Sequence, residues 1–308
     1  MLRVRKILFP TDFSPASRAA LDEALLWAEV HGAELHFLHV LSLRTADPFN
    51  PEHHFPEAEE LFARLHELAS SEMATLLAAH QEEPFRIRET IQTAPEVDRG
   101  ILDYAEEQDA DLVVMGTHGR RGAAHLLFGS IAAEVLRRSV RPVLVVPSRG
   151  ERPAGRIRRV LAPVDFSAAS RFAVAHARVL AGAVGATLEL FHVLPDLEVP
   201  LPMNPAGLGA SATVVTDLEP AAESALAELV AAPGAEARIE TRVWHGPPAA
   251  TILNRAAETA TDLIVLASHG HTGLDRLLLG SVTERVARLA ACPVLVLPPH
   301  GRSLLPET

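Results

Sequence analysis

The chain has 308 residues, 48% of them hydrophobic and 22% charged, enough to bury one large core or two ordinary ones, since domains usually run about 100–150 residues. Its 28 basic and 39 acidic residues give a formal net charge of −11, which argues against general attraction to nucleic acid or anionic lipid and leaves only a local anion site open. No long apolar run follows Met1, and no stretch approaches the roughly 18 uninterrupted apolar residues of a membrane span, so no membrane partner and a cytoplasmic protein are expected.

In chain order, the first β-rich run is KILFP at 6–10, followed by Thr11, Asp12, Phe13 and Ser14. A helix is predicted from Ser14, with Pro15 in its first turn, to Gly32; Leu21, Leu25 and Ala28 line its apolar side. A second strand, ELHFLHVL at 34–41, leads into LRTADPFNPEHHFP at 43–56. That stretch reads either as a surface loop or as a lid overhanging a ligand at the strand's carboxyl end. FRIRETIQ at 85–92 and DLVVMG at 111–116 follow as strands, then the glycine-rich MGTHGRRGAAHLLFGS at 115–130, a further helical pattern, and PVLVVP at 142–147. The stretch SRGERPAG at 148–155 is polar and punctuated by Pro and Gly, as linkers are.

After it, the whole sequence of elements returns. RRVLAPVDFSAASRFAV at 158–174 matches RKILFPTDFSPASRAAL at 5–21, LFHVL at 190–194 matches FLHVL at 37–41, and LASHGHTGLDRLLLGS at 266–281 matches the glycine-rich stretch 151 positions earlier. The second set of strands is RVLAP, TLELFHVL, RIETRVW, DLIVLA and PVLVLP, with PDLEVPLPMNPAGLGASA at 195–212 in the place of the first loop. Short β-rich runs alternating with helical patterns predict an α/β protein of two tandem, doubly wound, five-stranded parallel-sheet domains of Rossmann-like type, each with four helices. The domains are placed at 1–148 and 156–300, with 149–155 as linker. PVLVVP and PVLVLP, apolar on both faces and bracketed by prolines, are expected to pair as edge strands, making an internal pseudo-dimer and leaving a homodimer open.

In an open parallel sheet, ligands bind beyond the strand carboxyl ends where the strand order reverses, commonly with the order 2-1-3-4-5 or a relative. That selects Pro10, Thr11 and Asp12 with Pro163, Val164 and Asp165 at the first-strand ends. At the fourth-strand ends it selects Met115, Gly116, His118, Gly119, Arg120 and Arg121, with Leu266, Ala267, His269 and Gly270 in the second half. Glycines there let backbone N–H groups converge on an anion, and the later Gly129-Ser130 and Gly280-Ser281 open helices whose N-termini favour negative charge. Phosphate fits. The serines can cap the helices or reach a phosphate oxygen, and the aspartates can hold a ribose hydroxyl or a metal-bound water. The same residues also read as ordinary turn, cap and helix-entry residues, and His118 and His269 as turn formers. Competing motifs fail: there is no GxxxxGK[ST], no GxGxxG after a first strand, and LASHG lacks the first glycine of a nucleophile elbow. Fifteen histidines raise a metal reading, but His36 and His39 lie three apart on a strand and face opposite sides. Cys292, the only cysteine, reads as a buried, inert thiol.

The frame G-x-x-G, nine residues, G-[ST], behind a strand that ends in Asp, resembles the ATP-binding type of universal stress protein, here as a tandem pair over nearly the whole chain. The resemblance implies an adenine nucleotide alpha hydrolase-like fold, ATP as ligand with Mg²⁺ on its phosphates, weak or no hydrolysis, and a role as a stress-response sensor or binding module. It implies nucleotide contacts at Asp12, Val40, Gly116, Gly119, Gly129 and Ser130, and at Asp165, Val193, Gly270, Gly280 and Ser281. The second half departs from the pattern at Ala267; if that position needs a left-handed or crowded backbone, the second site is the weaker. A slow ATP hydrolase, or a structural stress protein with vestigial sites, is the alternative. The motif holds no positioned lysine, paired carboxylates or general base.

Overall fold

A computed structural model of the chain describes residues 1–42, 58–80, 82–117, 129–147, 157–195, 218–232, 236–269 and 279–306. The chain divides into two compact units, one of residues 3–155 with 300–304, the other of residues 156–299 with 1–2 and 305–308.

The first unit contains β1 (Lys6–Pro10), α1 (Pro15–His31), β2 (Glu34–Ser42), α2 (Ala58–Leu77), β3 (Ile87–Ala94), α3 (Val97–Glu107), β4 (Leu112–Gly116), α4 (Ser130–Arg138) and β5 (Val143–Val146). All strand pairs are parallel, in the order β3-β2-β1-β4-β5. The second unit repeats this with β6 (Arg159–Pro163), α5 (Ala168–Val184), β7 (Thr187–Leu194), α6 (Leu218–Ala231), β8 (Arg238–His245), α7 (Pro248–Glu258), β9 (Leu263–Ala267), α8 (Ser281–Leu289) and β10 (Val294–Leu297). Its order is β10-β9-β6-β7-β8, again parallel throughout. The arrangement is thus a relative of the 2-1-3-4-5 order. The chain moves outward from β1 to β3, then returns to the other side of β1 at β4, so each reversal falls between β1 and β4 or between β6 and β9.

Local chemistry explains the boundaries. Ser14 caps α1 by accepting a hydrogen bond from Ser17 N, Pro15 sits in the first turn, and Gly32 ends the helix in the left-handed region at φ 62°. Ser167 and Gly185 do the same for α5. β3 lies two residues later than the sequence pattern suggests: its register with β2 runs from Ile87 opposite Leu35 to Ala94 opposite Ser42. It stops there because Pro95 has no N–H to continue a ladder.

Burial on both faces accounts for the runs of β-branched and aliphatic residues in the central strands. Ile7, Leu8, Leu112, Val113, Val114 and Leu144 are fully buried in the first unit, as are Val160, Leu161, Leu188, Ile264 and Leu295 in the second. Phe9 packs edge-on against Phe37 with ring centroids 5.2 Å apart. Each such side chain contributes about 1.5–3 kcal/mol. Leu21, Leu25 and Ala28 are on the buried side of α1, and Cys292 is buried. No helix among the described residues is long and apolar enough to cross a membrane.

Candidate functional site

Because β1 and β4 are adjacent and parallel, their carboxyl ends open on the same edge of the sheet. Beyond β1, the Thr11 backbone N–H donates to Leu38 O on β2 at 2.9 Å. Asp12 Oδ1 accepts from Ser14 N at 3.0 Å, forming an Asx turn into α1. Between them stands Phe13 at φ 63°, in the left-handed region that bulky residues rarely enter. The second unit reproduces the turn: Val164 N donates to Phe191 O at 2.9 Å. Asp165 Oδ1 accepts from Ser167 N at 3.0 Å and from the Ser167 hydroxyl at 2.6 Å, and Phe166 stands at φ 62°.

Beyond β4, Gly129 N donates to Thr117 O at 2.8 Å, and beyond β9, Gly280 N donates to Ser268 O at 2.8 Å. These two bonds tie the start of α4 to the end of β4, and the start of α8 to the end of β9. The two ends of each glycine-rich stretch, twelve residues apart, therefore meet beside the first-strand aspartate. Gly129 and Gly280, not the serines, are the N-caps, extended at φ −61° and −62°. A glycine cap brings no side-chain acceptor to the first-turn N–H groups, so these helix starts differ from the serine-capped α1 and α5 and suit an external anion. Ser130 and Ser281 are exposed first-turn residues, so their hydroxyls face outward rather than capping.

Gly116 also answers a packing constraint. A Cβ there would stand 2.7 Å from Ala16 O and 3.1 Å from Ala16 C in the first turn of α1. The position is crowded by helix backbone, while its φ lies outside the left-handed region. Ala267, its counterpart, ends β9 with ordinary extended backbone and is buried. Pro10 and Met115 are buried at the strand ends, as are Pro163 and Leu266. Val40 is buried, and a Cβ on Gly100 of α3 would come within 2.8 Å of it; Val193 is buried likewise. His269 Nδ1 lies 2.8 Å from Ser268 Oγ. His118, Gly119, Arg120, Arg121 and Gly270, and the two proline-rich stretches after the second strands up to the helices α2 and α6, fall outside the described residues apart from Pro195.

Two residues escaped the sequence reading. His39 Nδ1 lies 2.8 Å from Thr11 O and His192 Nδ1 lies 2.7 Å from Val164 O. The signal was the repeated His-Val of FLHVL and LFHVL. Among the described residues no three His, Cys, Asp or Glu side chains gather as a metal site. A separate concavity of about 670 Å³ lies between α6 and the outer strand β8, with Glu219, Glu223, Arg242 and His245 on its wall.

The tandem α/β architecture recurs in solved structures. A putative universal stress protein from Pseudomonas aeruginosa shares it with a TM-score of 0.65 at 21% identity, over 96% of this chain and 94% of that one. One from Archaeoglobus fulgidus does so with a TM-score of 0.64 at 22% identity, over 98% and 97%. In sequence, a universal stress protein of Mycolicibacterium smegmatis is 29% identical over 301 residues, 96% of this chain and 97% of its own length. Universal stress protein MJ0577 of Methanocaldococcus jannaschii is 29% identical over 153 residues, 46% of this chain and 94% of its own. The model of the universal stress protein family matches twice, over residues 3–147 and 156–298, and the chain belongs to that family.

Proposed function

We propose that each unit binds an adenine nucleotide, ATP in the first instance, in the crevice beyond β1 and β4 or beyond β6 and β9, and that the protein acts as a nucleotide-dependent stress sensor or binding module. The observation that carries the reading is the closure of each glycine-rich stretch by the Gly129 N to Thr117 O and Gly280 N to Ser268 O bonds. It sets a glycine-capped helix start beside the turn that holds Asp12 or Asp165. Phosphates belong at the helix start, where N–H groups and the helix dipole favour negative charge. The ribose belongs at the aspartate, which accepts from a hydroxyl. Gly119, Arg120 and Arg121 in the first unit and Gly270 in the second add further donors in this reading. Mg²⁺ rides on the phosphates, with no dedicated protein cage.

Within the chain, Asp12 and Asp165 hold the sugar, the first-turn amides of α4 and α8 hold the phosphates, and the buried strand-end residues Met115 and Leu266 bound the base side. Hydrolysis is at most slow, because the sequence of each glycine-rich stretch holds no lysine and no paired carboxylates. Gly129→Val with Gly280→Val tests the reading: both glycines have extended backbones that valine adopts, and at Gly280 the added Cβ would stand 3.3 Å from Ser268 O, at the bond that closes the stretch. ATP affinity by titration calorimetry is expected to fall more than a hundredfold, two or three charge-assisted N–H bonds being lost at about 1.5–3 kcal/mol each. Unchanged ATP affinity in this variant, or no adenine nucleotide binding by the unmodified protein, refutes it.

A further inference from the structure

We propose that His39 and His192 are positioning residues: each imidazole locks the peptide group in front of Asp12 or Asp165, so that the carboxylate is held ready for a ribose hydroxyl. The inference rests on the nucleotide reading above and adds to it the device that gives the site its sugar preference.

The same constellation stands twice in the chain. A backbone carbonyl can only accept, so the Nδ1 atoms 2.8 Å from Thr11 O and 2.7 Å from Val164 O carry the ring hydrogen. With Thr11 N and Val164 N donating to β2 and β7 at 2.9 Å, both backbone polar atoms of the residue before each aspartate are tied to the neighbouring strand. The imidazoles also pack on the phenylalanines that follow the aspartates, with ring centroids 4.6 Å apart for Phe13 and His39 and 4.5 Å apart for Phe166 and His192. Those phenylalanines are the residues held in left-handed backbone at φ 63° and 62°. Such a conformation persists in a bulky residue only when its surroundings over-determine it, and it concentrates at functional sites.

Each aspartate is therefore fixed from both sides. The peptide before it is bonded to a histidine, the residue after it is pressed against that histidine's ring, and its own Oδ1 is engaged by the helix cap two residues on. The residue carrying the carbonyl differs, Thr11 in one unit and Val164 in the other, because the histidine bond uses only its backbone; in the first unit the Thr11 hydroxyl adds a second tie by accepting from Phe13 N at 3.0 Å. His, Asp, Phe and Ser are the same in both. A plain core-filling role would need neither the directed Nδ1 bond nor the strained neighbour in both copies.

The test is the sugar preference, read by calorimetry as the ratio of dissociation constants for 2′,3′-dideoxy-ATP and ATP. For the unmodified protein a ratio of about ten to a hundred is expected, the worth of a hydroxyl bonded to a carboxylate. In the double variant His39→Leu, His192→Leu the ratio is expected to collapse towards one through weaker ATP binding alone. In His39→Gln, His192→Gln, whose amide N–H can donate to the same carbonyl, most of the preference should return. An unchanged ratio in the leucine variant, or equal loss for both nucleotides, overturns the positioning role. If the leucine variant does not fold, Phe13→Gly with Phe166→Gly relaxes the turn from its other side, and the same ratio decides. An unmodified protein that binds ATP without sugar preference overturns this inference alone; one that binds no ATP overturns the nucleotide reading first and this one with it.

Discussion

A Cβ at position 116 would collide with the backbone of α1, whereas position 267 in the same place of the second unit carries a buried alanine in a regular strand. The two units have thus settled the distance between strand end and helix start differently. Gly116→Ala must push α1 away, and is expected to destabilise the first unit by about 1–3 kcal/mol, as overpacked cores do, measured by urea unfolding. Ala267→Gly meets no such constraint and should cost about 0.5–1 kcal/mol through backbone entropy, leaving the ATP affinity of the second site unchanged. The glycine spacing was legible in the sequence, and so was its place at a strand end. What crowds Gly116 was not, because the neighbour is a helix that begins a hundred residues earlier in the chain. His39 and His192 were illegible for a related reason. Strand periodicity says which face a side chain takes, but not that its ring nitrogen meets a carbonyl just beyond the end of the adjacent strand.

Among the elements, α3 and α7 repeat the sequence-level pattern yet carry different chemistry against β2 and β7. In the first unit His36 Nδ1 lies 3.0 Å from the Tyr104 hydroxyl, which is also 3.0 Å from Thr90 Oγ1. In the second, Glu189, only 1% exposed, takes Arg255 Nε at 2.7 Å and Arg159 Nη1 at 3.4 Å. A buried carboxylate stripped of its best partner is far costlier than a neutral pair stripped of one hydrogen bond. Arg255→Leu should therefore destabilise the second unit by about 3 kcal/mol, while Tyr104→Phe costs the first about 1 kcal/mol, both read from urea unfolding midpoints. Comparable losses from the two would show that the ion pair is screened. The repeat predicted the existence and order of these helices and strands well, since hydrophobic period and caps are local. It could not predict which buried polar pair each interface holds, because the partners are separated by 66 residues in one unit and 68 in the other.

For the molecule as a whole, acid and the far end of the chain act together. Burial pushes His31, His36 and His176 below the usual histidine range. The unfolded chain then binds protons that the folded one does not as pH drops through about 6.5, so stability is full above that value and falls below it. Asp109 adds to the loss at lower pH. Burial raises its carboxyl, but the Arg302 and Arg141 guanidiniums outweigh that and hold it below the usual range. The thermal midpoint at pH 5 is expected to lie several degrees below that at pH 7.5, as for a loss of about 1 kcal/mol; a midpoint that does not fall would contradict the histidine shifts.

The same Arg302 belongs to a tail that no periodicity in the sequence marks as structured, yet residues 300–304 are part of the compact unit of residues 3–155. Arg302 N donates to Val140 O at 2.8 Å and Arg3 N donates to Leu304 O at 2.7 Å. The Arg302 side chain pairs with Asp109 and with the buried Asp111, whose other oxygen accepts from Arg5 N at 2.7 Å and Lys6 N at 3.0 Å. Leu304 is fully buried. The apolar contact carries most of the weight, since burying a leucine contributes about 1.5–3 kcal/mol, whereas the pair to the half-exposed Asp109 is screened by solvent. Ending the chain at Pro299 should accordingly lower the stability of that unit by about 2–4 kcal/mol and make its amides around Arg3 and Asp111 exchange faster. Arg302→Ala should cost only about 1 kcal/mol, because Asp111 keeps its two backbone donors. Hydrogen exchange together with urea unfolding of both variants separates the two contributions. If truncation and Arg302→Ala cost the same, the tail is held by charge and the burial of Leu304 counts for little.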